Sequence, residues 1–386
     1  MIAVARRNLS CLFVNPNSFL CNSNAQLFPS IHFLSTWRVK NLIPNPEIYD
    51  LLLNKHQFPP ELASIASSGL PKASSPIGAD SVVSFLKENS FTATQLQKVV
   101  TYNPRILGFT IESINLKFKV FQSLGLSPKE IAKIISEHTT SLHSSYENSI
   151  IPKLSMLKCL LGSDHNVARL LKRCSWFLSA DLEKTLMPNM EILKSYSIPM
   201  VHILHFLHLR PRCFVVKPDI MQKSVVRAIE FGVPWTSGVF IQAVSLFTHT
   251  SEGMWEVKVQ TLRDLGFSDD DILTIFRKQP LVFSQSGKKM KNVTELLLAT
   301  GKYDLSSIVT CPVALMCSMK KRLEPRLQIL RLLESRSLIE KWPKLSAVAT
   351  LIEDRFFDRF VEPYRDEIGE EHITKIYVKT KRDDTL

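Results

Sequence analysis

A small or turn-forming residue recurs along this chain at nearly constant spacing, and that spacing dictates what the chain can fold into. It lies at the centre of "ENSFT" (88–92), "SLGLS" (123–127), "LLGSD" (160–164), "SYSIP" (195–199), "EFGVP" (230–234), "DLGFS" (264–268) and "ATGKY" (299–303). The central residues are Ser90, Gly125, Gly162, Ser197, Gly232, Gly266 and Gly301, which stand 34 to 37 residues apart. Glycine just past a helix C-terminus adopts the left-handed conformation without a Cβ penalty, so each position marks the end of a helix. A new helix start follows. In "SPKE" (127–130), Ser127 is an N-cap, Pro128 fills the first helical position and Glu130 completes a capping box. "SDDD" (268–271) does the same with acids that suit the positive helix N-terminus.

The helices that follow are amphipathic. Ile131, Ile134 and Ile135 fall on one face of "EIAKIISEH", and Ile272, Ile275 and Phe276 on one face of "DILTIFRKQ". They are stopped in a repeated way. "TYNPRILGF" (101–109), "LRPRCFV" (209–215), "KQPLVFS" (278–284) and "TCPVALM" (310–316) place Pro104, Pro211, Pro280 and Pro312 directly after the amphipathic run. Proline lacks an N–H and clashes with the preceding turn, so it ends the helix there. The copies "HTTSL" (138–142), "CSWFL" (174–178) and "LFTHT" (246–250) lack the proline, so their turns are less firmly specified. A second helix closes each unit, with Pro152, Pro188 and Pro325 near its start. A helix pair with one apolar stripe cannot bury that stripe alone, whereas stacked pairs share a continuous core. The expected fold is all-α, a right- or left-handed curved superhelical solenoid with a period of about 35 residues and no strands of consequence.

Composition narrows the function. The chain of 386 residues has 12 Gly against 21 Pro, which argues against a Gly-rich nucleotide-binding α/β fold. Its net charge is +12, which favours a polyanionic partner. The cysteines Cys11, Cys21, Cys159, Cys174, Cys213, Cys311 and Cys317 form no C-x-x-C pair and read as reduced thiols. No apolar run approaches the length of a membrane span. The first acidic residue is Glu47, while Arg6, Arg7, Arg38 and Lys40 precede it among many Ser and Asn. That is transit-peptide composition. Arg6-Arg7 and "IHFLSTWR" favour the mitochondrion, with the chloroplast as the alternative. The expected organisation is a disordered leader over 1–40, an irregular linker over 41–79, helical repeats over 80–340 and a helical cap with a charged tail over 341–386.

No phosphate loop, dinucleotide fingerprint, H-E-x-x-H or G-x-S-x-G occurs, so neither an enzyme nor a cofactor is expected. His202, His205 and His208 sit at i, i+3 and i+6, but no Cys or carboxylate nearby completes a metal site. Basic residues cluster late, as Arg277, Lys278, Lys288, Lys289, Lys291, Lys320, Lys321, Arg322, Arg326 and Arg331. Arg169, Lys172 and Arg173 form a smaller group, and Arg210 and Arg212 flank one proline. Charges recurring at similar points of a solenoid would line one groove and follow a phosphate backbone. In the competing reading the late cluster is solvated on the convex side, where reversing its charges would act no differently from reversing charges elsewhere, such as Lys153 and Lys158. The competing class is a helical scaffold for protein partners, its charge serving only import or solubility.

The combination apolar-x-x-apolar-x-x-x-Pro-x-apolar-Leu, followed by a helix ending in Leu-Gly-apolar-Ser, resembles the mitochondrial transcription termination factor (mTERF) family, and in particular its plant organellar branch. The match runs over residues 80 to 368 and is best in "MKKRLEPRLQILRLLESRSLI" (319–339) and "RFFDRFVEPYRDEI" (355–368). The resemblance implies a non-catalytic organellar protein that binds double-stranded DNA or structured RNA. It further implies a role in transcription termination, transcription regulation or RNA processing, alongside organellar transcription or splicing proteins. A monomer is expected.

Overall fold

A computed structural model describes residues 44–68, 70, 75–369, 373 and 376, and every regular element among them is helical. The leader expected over 1–40 lies outside the described residues. The described residues up to Met221 form one compact unit and those from Gln222 onward another.

The hinge residues behave as their chemistry dictates. Ser90, Gly125, Gly162, Ser197, Gly232, Gly266 and Gly301 all have positive φ, between 59° and 93°. Two further members continue the series, Gln57 (φ 58°) and Ser337 (φ 58°), 33 residues before Ser90 and 36 after Gly301. The capping boxes form as expected at Ser127/Glu130 and Ser268/Asp271. Each closes two of the N–H groups that a helix start leaves open.

In the unit ending at Met221, the first helices of successive pairs are Ala93–Tyr102, Pro128–Glu137, Asp164–Arg173 and Met200–Leu209. The second helices include Ile111–Ser123, Ile151–Leu161 and Leu186–Ser195. Pro128–Glu137 packs between Ala93–Tyr102 and Asp164–Arg173. Ile131, Ile134 and Ile135 are buried in those contacts. Burial of one such side chain is worth about 1.5–3 kcal/mol.

Short 3-10 turns link first to second helices. They span Pro104–Gly108, Pro211–Val215, Pro280–Ser284 and Pro312–Met316, each opening on the proline. The residue before each proline is extended: Asn103, Arg210, Gln279 and Cys311 have φ between −149° and −128° and ψ between 60° and 78°. Proline excludes the α conformation from that position. The copies without proline keep the turn at Thr139–His143 and Ser175–Leu178, after His138 and Cys174 in a similar conformation.

The copy at 246–250 does not. The helix Phe240–His249 runs almost directly into Glu252–Asp264, with Ser251 as its N-cap. An aromatic cluster fills this part of the second unit. Trp255 stacks on Phe283 with centroids 4.7 Å apart and meets Phe231 edge-on at 5.2 Å. Phe247 and Phe276 complete the cluster, and the Arg227 guanidinium lies 4.6 Å from the centroid of Phe247.

The segment 41–79, expected as an irregular linker, is largely helical where it is described. It holds Pro46–Asp50, a π-helical turn Leu51–Lys55, Pro60–Ser68 and the start of Pro76–Glu88. The repeat begins earlier than residue 80 because Gln57 serves as a hinge. Buried His56 ties the segment to the next helix, its Nε2 3.0 Å from Asp80 and its Nδ1 3.0 Å from the Lys87 ammonium. At the other end, Leu345–Thr350, Glu353–Phe360 and Arg365–Ile368 are helical.

Candidate nucleic-acid interface

Several of the basic residues predicted to meet phosphate are engaged within the protein. Arg326 is fully buried. Its guanidinium donates to the carbonyls of Val348 (2.9 Å) and Leu351 (2.8 Å), pairs with Glu353 (2.7 Å) and lies over the Phe356 ring. Arg326 is therefore a structural residue and not a phosphate ligand, because its charge is already spent on a helix C-terminus, where carbonyls lack intrahelical partners. Half-buried Arg322 donates to Ala349 O at 3.0 Å, and half-buried Lys289 to Met316 O at 2.7 Å. Lys278 donates to Val309 O, Arg173 to Leu209 O and Arg277 to Phe231 O. Lys172 pairs with Glu130 at 3.0 Å, and Lys291 lies 3.8 Å from Glu295. The Glu130 carboxyl is held down to about 2, first by the Ser127 backbone N–H and then by the Lys172 ammonium. Burial pulls the half-buried Arg210 guanidinium below its ordinary value.

These contacts belong to a series that sequence reasoning did not detect. From successive second helices, a long polar side chain reaches the 3-10 turn of the following pair. Buried Lys117 donates to Leu142 O. Lys153 reaches Leu178 O at 3.0 Å, and Asn189 reaches Phe214 O at 3.0 Å and Val216 O at 2.9 Å. Buried Lys258 donates to Gln285 O just past the turn Pro280–Ser284, Lys289 continues the pattern at Met316 O, and Arg326 reaches forward in the same way to the end of the helix Leu345–Thr350. Burial lowers the ammonium pKa of Lys117, Lys153 and Lys258. The equivalent position 35 residues after Asn189 holds the shorter Ser224, and the pair that follows it, Phe240–His249 and Glu252–Asp264, has no 3-10 turn between its helices. Lys158 is exposed, with an ion pair to Asp164.

Arg169, Arg212, Lys288, Lys320, Lys321 and Arg331 are exposed. Arg169 belongs to a row of its own. Counted five residues back from the helix-ending positions Asn103, His138, Cys174 and Arg210, the residues are Lys98, Lys133, Arg169 and His205, and all are exposed. The buried residues of these helices lie on the opposite face, which fixes the row outward. Lys98 and Lys133 carried a usable signal, their spacing of 35 and 36 residues from the next member. Counted two residues forward from the same positions, Arg105, Thr140, Trp176 and Arg212 form a second exposed row. Arg212 Cζ is 6.0 Å from the centroid of the Trp176 ring, and His138 lies 6.4 Å from it on the preceding turn.

Among the described residues, no group of His, Cys, Asp and Glu could hold a metal ion, and no helix is long and apolar enough to cross a membrane. Burial raises the thiol pKa of Cys174, Cys213 and Cys311, which leaves them protonated and unreactive.

Stacked helix pairs with an outward row of basic side chains on their first helices define a helical-repeat protein. The mTERF family model matches residues 2–233 and 236–357, and the chain belongs to the mTERF family. Members are non-catalytic, organellar, nucleic-acid-binding regulators. Compared one by one with curated proteins, the chain has no match.

Proposed function

We propose that this protein is a mitochondrial regulator that acts by gripping a nucleic-acid backbone, in transcription termination or in RNA processing, and that it belongs to the plant organellar branch of its family. The observation that carries the reading is the outward row Lys98, Lys133, Arg169 and His205, at one register on successive first helices. Cations repeated once per helix pair meet a polymer that repeats its charge, and binding then releases counterions. The exposed cations Lys288, Lys320 and Lys321 extend the basic character into the second unit. The acid-free residues before Glu47 support import.

The test is an affinity series of the purified chain on nucleic acid across salt. Log affinity should fall linearly with log salt, with a slope of about −0.7 to −0.9 per phosphate contact. Absence of binding at low salt would favour a scaffold for protein partners. Separately, a fluorescent reporter carrying the first ~40 residues should enter mitochondria. Entry into chloroplasts instead would change the compartment and leave the binding reading intact.

A further inference from the structure

We infer that the outward face of residues 93–212 takes a single strand of nucleic acid, its phosphates on the row Lys98, Lys133 and Arg169 and an unpaired base on Trp176. This rests on the nucleic-acid reading above and specifies its ligand.

Three observations lead there. First, the face carries exposed aromatic surface beside its cations. Tyr102, the last residue of its first helix, is 52% exposed, and Trp176, in a 3-10 turn, is 44% exposed. An apolar ring left in water at a basic surface is what base stacking uses, and every base presents a π-face. Within a duplex those faces are already stacked on one another, so only an unpaired base can use the indole.

Second, the indole is held in place. Arg212 approaches its ring at 6.0 Å and His138 lies 6.4 Å away at a tilt of 39°. The two come from the neighbouring turns on either side, so the ring is ordered before any ligand arrives and little side-chain entropy remains to be lost on binding.

Third, the acids closest to the row are paired. Glu130 pairs with Lys172 at 3.0 Å, and Glu137 lies 4.0 Å from Lys133 itself, an exposed pair at the limit of contact that a phosphate can displace. The row is on a regular pitch, since Ala93–Tyr102, Pro128–Glu137 and Asp164–Arg173 pack in succession. Packed helices lie about 8–10 Å apart, so adjacent cations match every second or third nucleotide of a stacked strand at ~3.4 Å each. The row of three cations spans about 16–20 Å, on the order of five or six such nucleotides.

The experiment uses the full chain and three labelled probes. These are a uridine single strand of about ten nucleotides, an abasic single strand of the same length, and a duplex. The uridine strand should bind more tightly than the other two. Trp176→Ala should weaken uridine-strand binding about tenfold and leave abasic binding unchanged, while Trp176→Phe restores most of the loss. Lys133→Gln with Arg169→Gln should make the salt slope shallower by about 0.7 per lost contact for both single strands. Circular dichroism confirms that each variant is folded. A duplex bound more tightly than either single strand, with affinity indifferent to Trp176→Ala, overturns this inference while the nucleic-acid reading stands. Failure to bind any of the three probes overturns both.

Discussion

The ammonium of Lys153 donates to the carbonyl of Leu178 at 3.0 Å, joining the second helix of one pair to the turn of the next. The bond closes a carbonyl that the 3-10 turn would otherwise leave half-satisfied. Lys153→Met keeps the apolar stem and removes the donor, which should lower stability by about 1–2 kcal/mol. Lys158→Met, a few residues along the same helix, removes only an exposed ion pair and should change stability by less than about 0.5 kcal/mol. Urea unfolding of both variants checks this. Equal midpoints for the two would remove the structural role of Lys153.

Arg326 and the pair Lys320 and Lys321 should separate folding from binding. Arg326→Leu leaves the carbonyls of Val348 and Leu351 and the carboxylate of Glu353 without their donor. A loss of at least ~2 kcal/mol is expected from the unpaired carbonyls. Lys320→Glu with Lys321→Glu, both at exposed positions, should cost less stability than Arg326→Leu. That double variant should weaken nucleic-acid binding and flatten its salt dependence. Thermal unfolding and a salt titration on the same samples give both readouts.

The hinges offer a gain as well as a loss. Ser197 and Ser337 hold φ of 59° and 58°, a region that costs a residue with a Cβ roughly 1–2 kcal/mol. Ser197→Gly should raise stability by up to about 1 kcal/mol, the remainder being offset by glycine's greater freedom when unfolded. Gly266→Val should do the reverse and by more, because φ is 93° and a Cβ there would come within 3.3 Å of Leu305 Cδ1. A midpoint that falls for Ser197→Gly would contradict the hinge assignment.

Trp255 is the centre of the aromatic cluster in the second unit, 4% exposed and in contact with Phe231, Phe247, Phe276 and Phe283. Trp255→Ala should cost about 3–5 kcal/mol. Trp255→Phe should recover a large part, since most ring contacts persist. Denaturant unfolding of the two variants is the check, and a small loss for the alanine variant would mean that the cluster adds little to the stability of its unit.

Acid should weaken the fold from a definite point. Burial pulls His56, His138, His143 and His208 below their ordinary pKa, and at His56 the Lys87 ammonium adds to it. As pH falls through about 6.5, the unfolded imidazoles take up protons that the folded ones resist. Stability is therefore complete above about 6.5 and declines as pH drops toward the lowered native values. Urea midpoints at neutral pH and one to two units lower should differ, and His56→Gln should reduce the difference. A midpoint independent of pH over that window would remove the buried-histidine account.

Much of the repeat was legible because its punctuation is chemically narrow. Only a few residue types suit a left-handed helix end or an N-cap, so Gly125, Gly232 and Ser127 announce themselves. Gln57 escaped because glutamine usually avoids that backbone conformation, and Ser337 because, unlike Ser90 and Ser197, it has no further copy after it to complete the spacing. The lost turn at 246–250 was not foreseen either. His249 and Thr250 contain no breaker, but His138 and Cys174 contain none and keep their turns, so local sequence does not decide it. Charge placement was the least legible level. Arg326 and Arg331 both sit in one helix among apolar residues, yet the first is buried and the second exposed. What separates them is the helix end at 348–351, which lies 22 or more residues downstream and gives the buried guanidinium its acceptors. Lys117 and Lys153 are likewise identical to surface lysines until the turn that they reach has been built.

Those forward-reaching side chains impose an order on synthesis. Lys117 finds its acceptor 25 residues later and Lys153 finds its own 25 residues later, each in the pair that follows. A chain emerging from the ribosome thus presents each helix pair before the partner that quiets its lysine exists. The growing end remains an unfinished surface until the next pair arrives and covers it. Arg326 and Arg322 play this part for the last pairs, and the carbonyls of Val348, Ala349 and Leu351 answer both. A nascent chain halted before residue 345 would carry two arginines seated for a helix that has not yet been made.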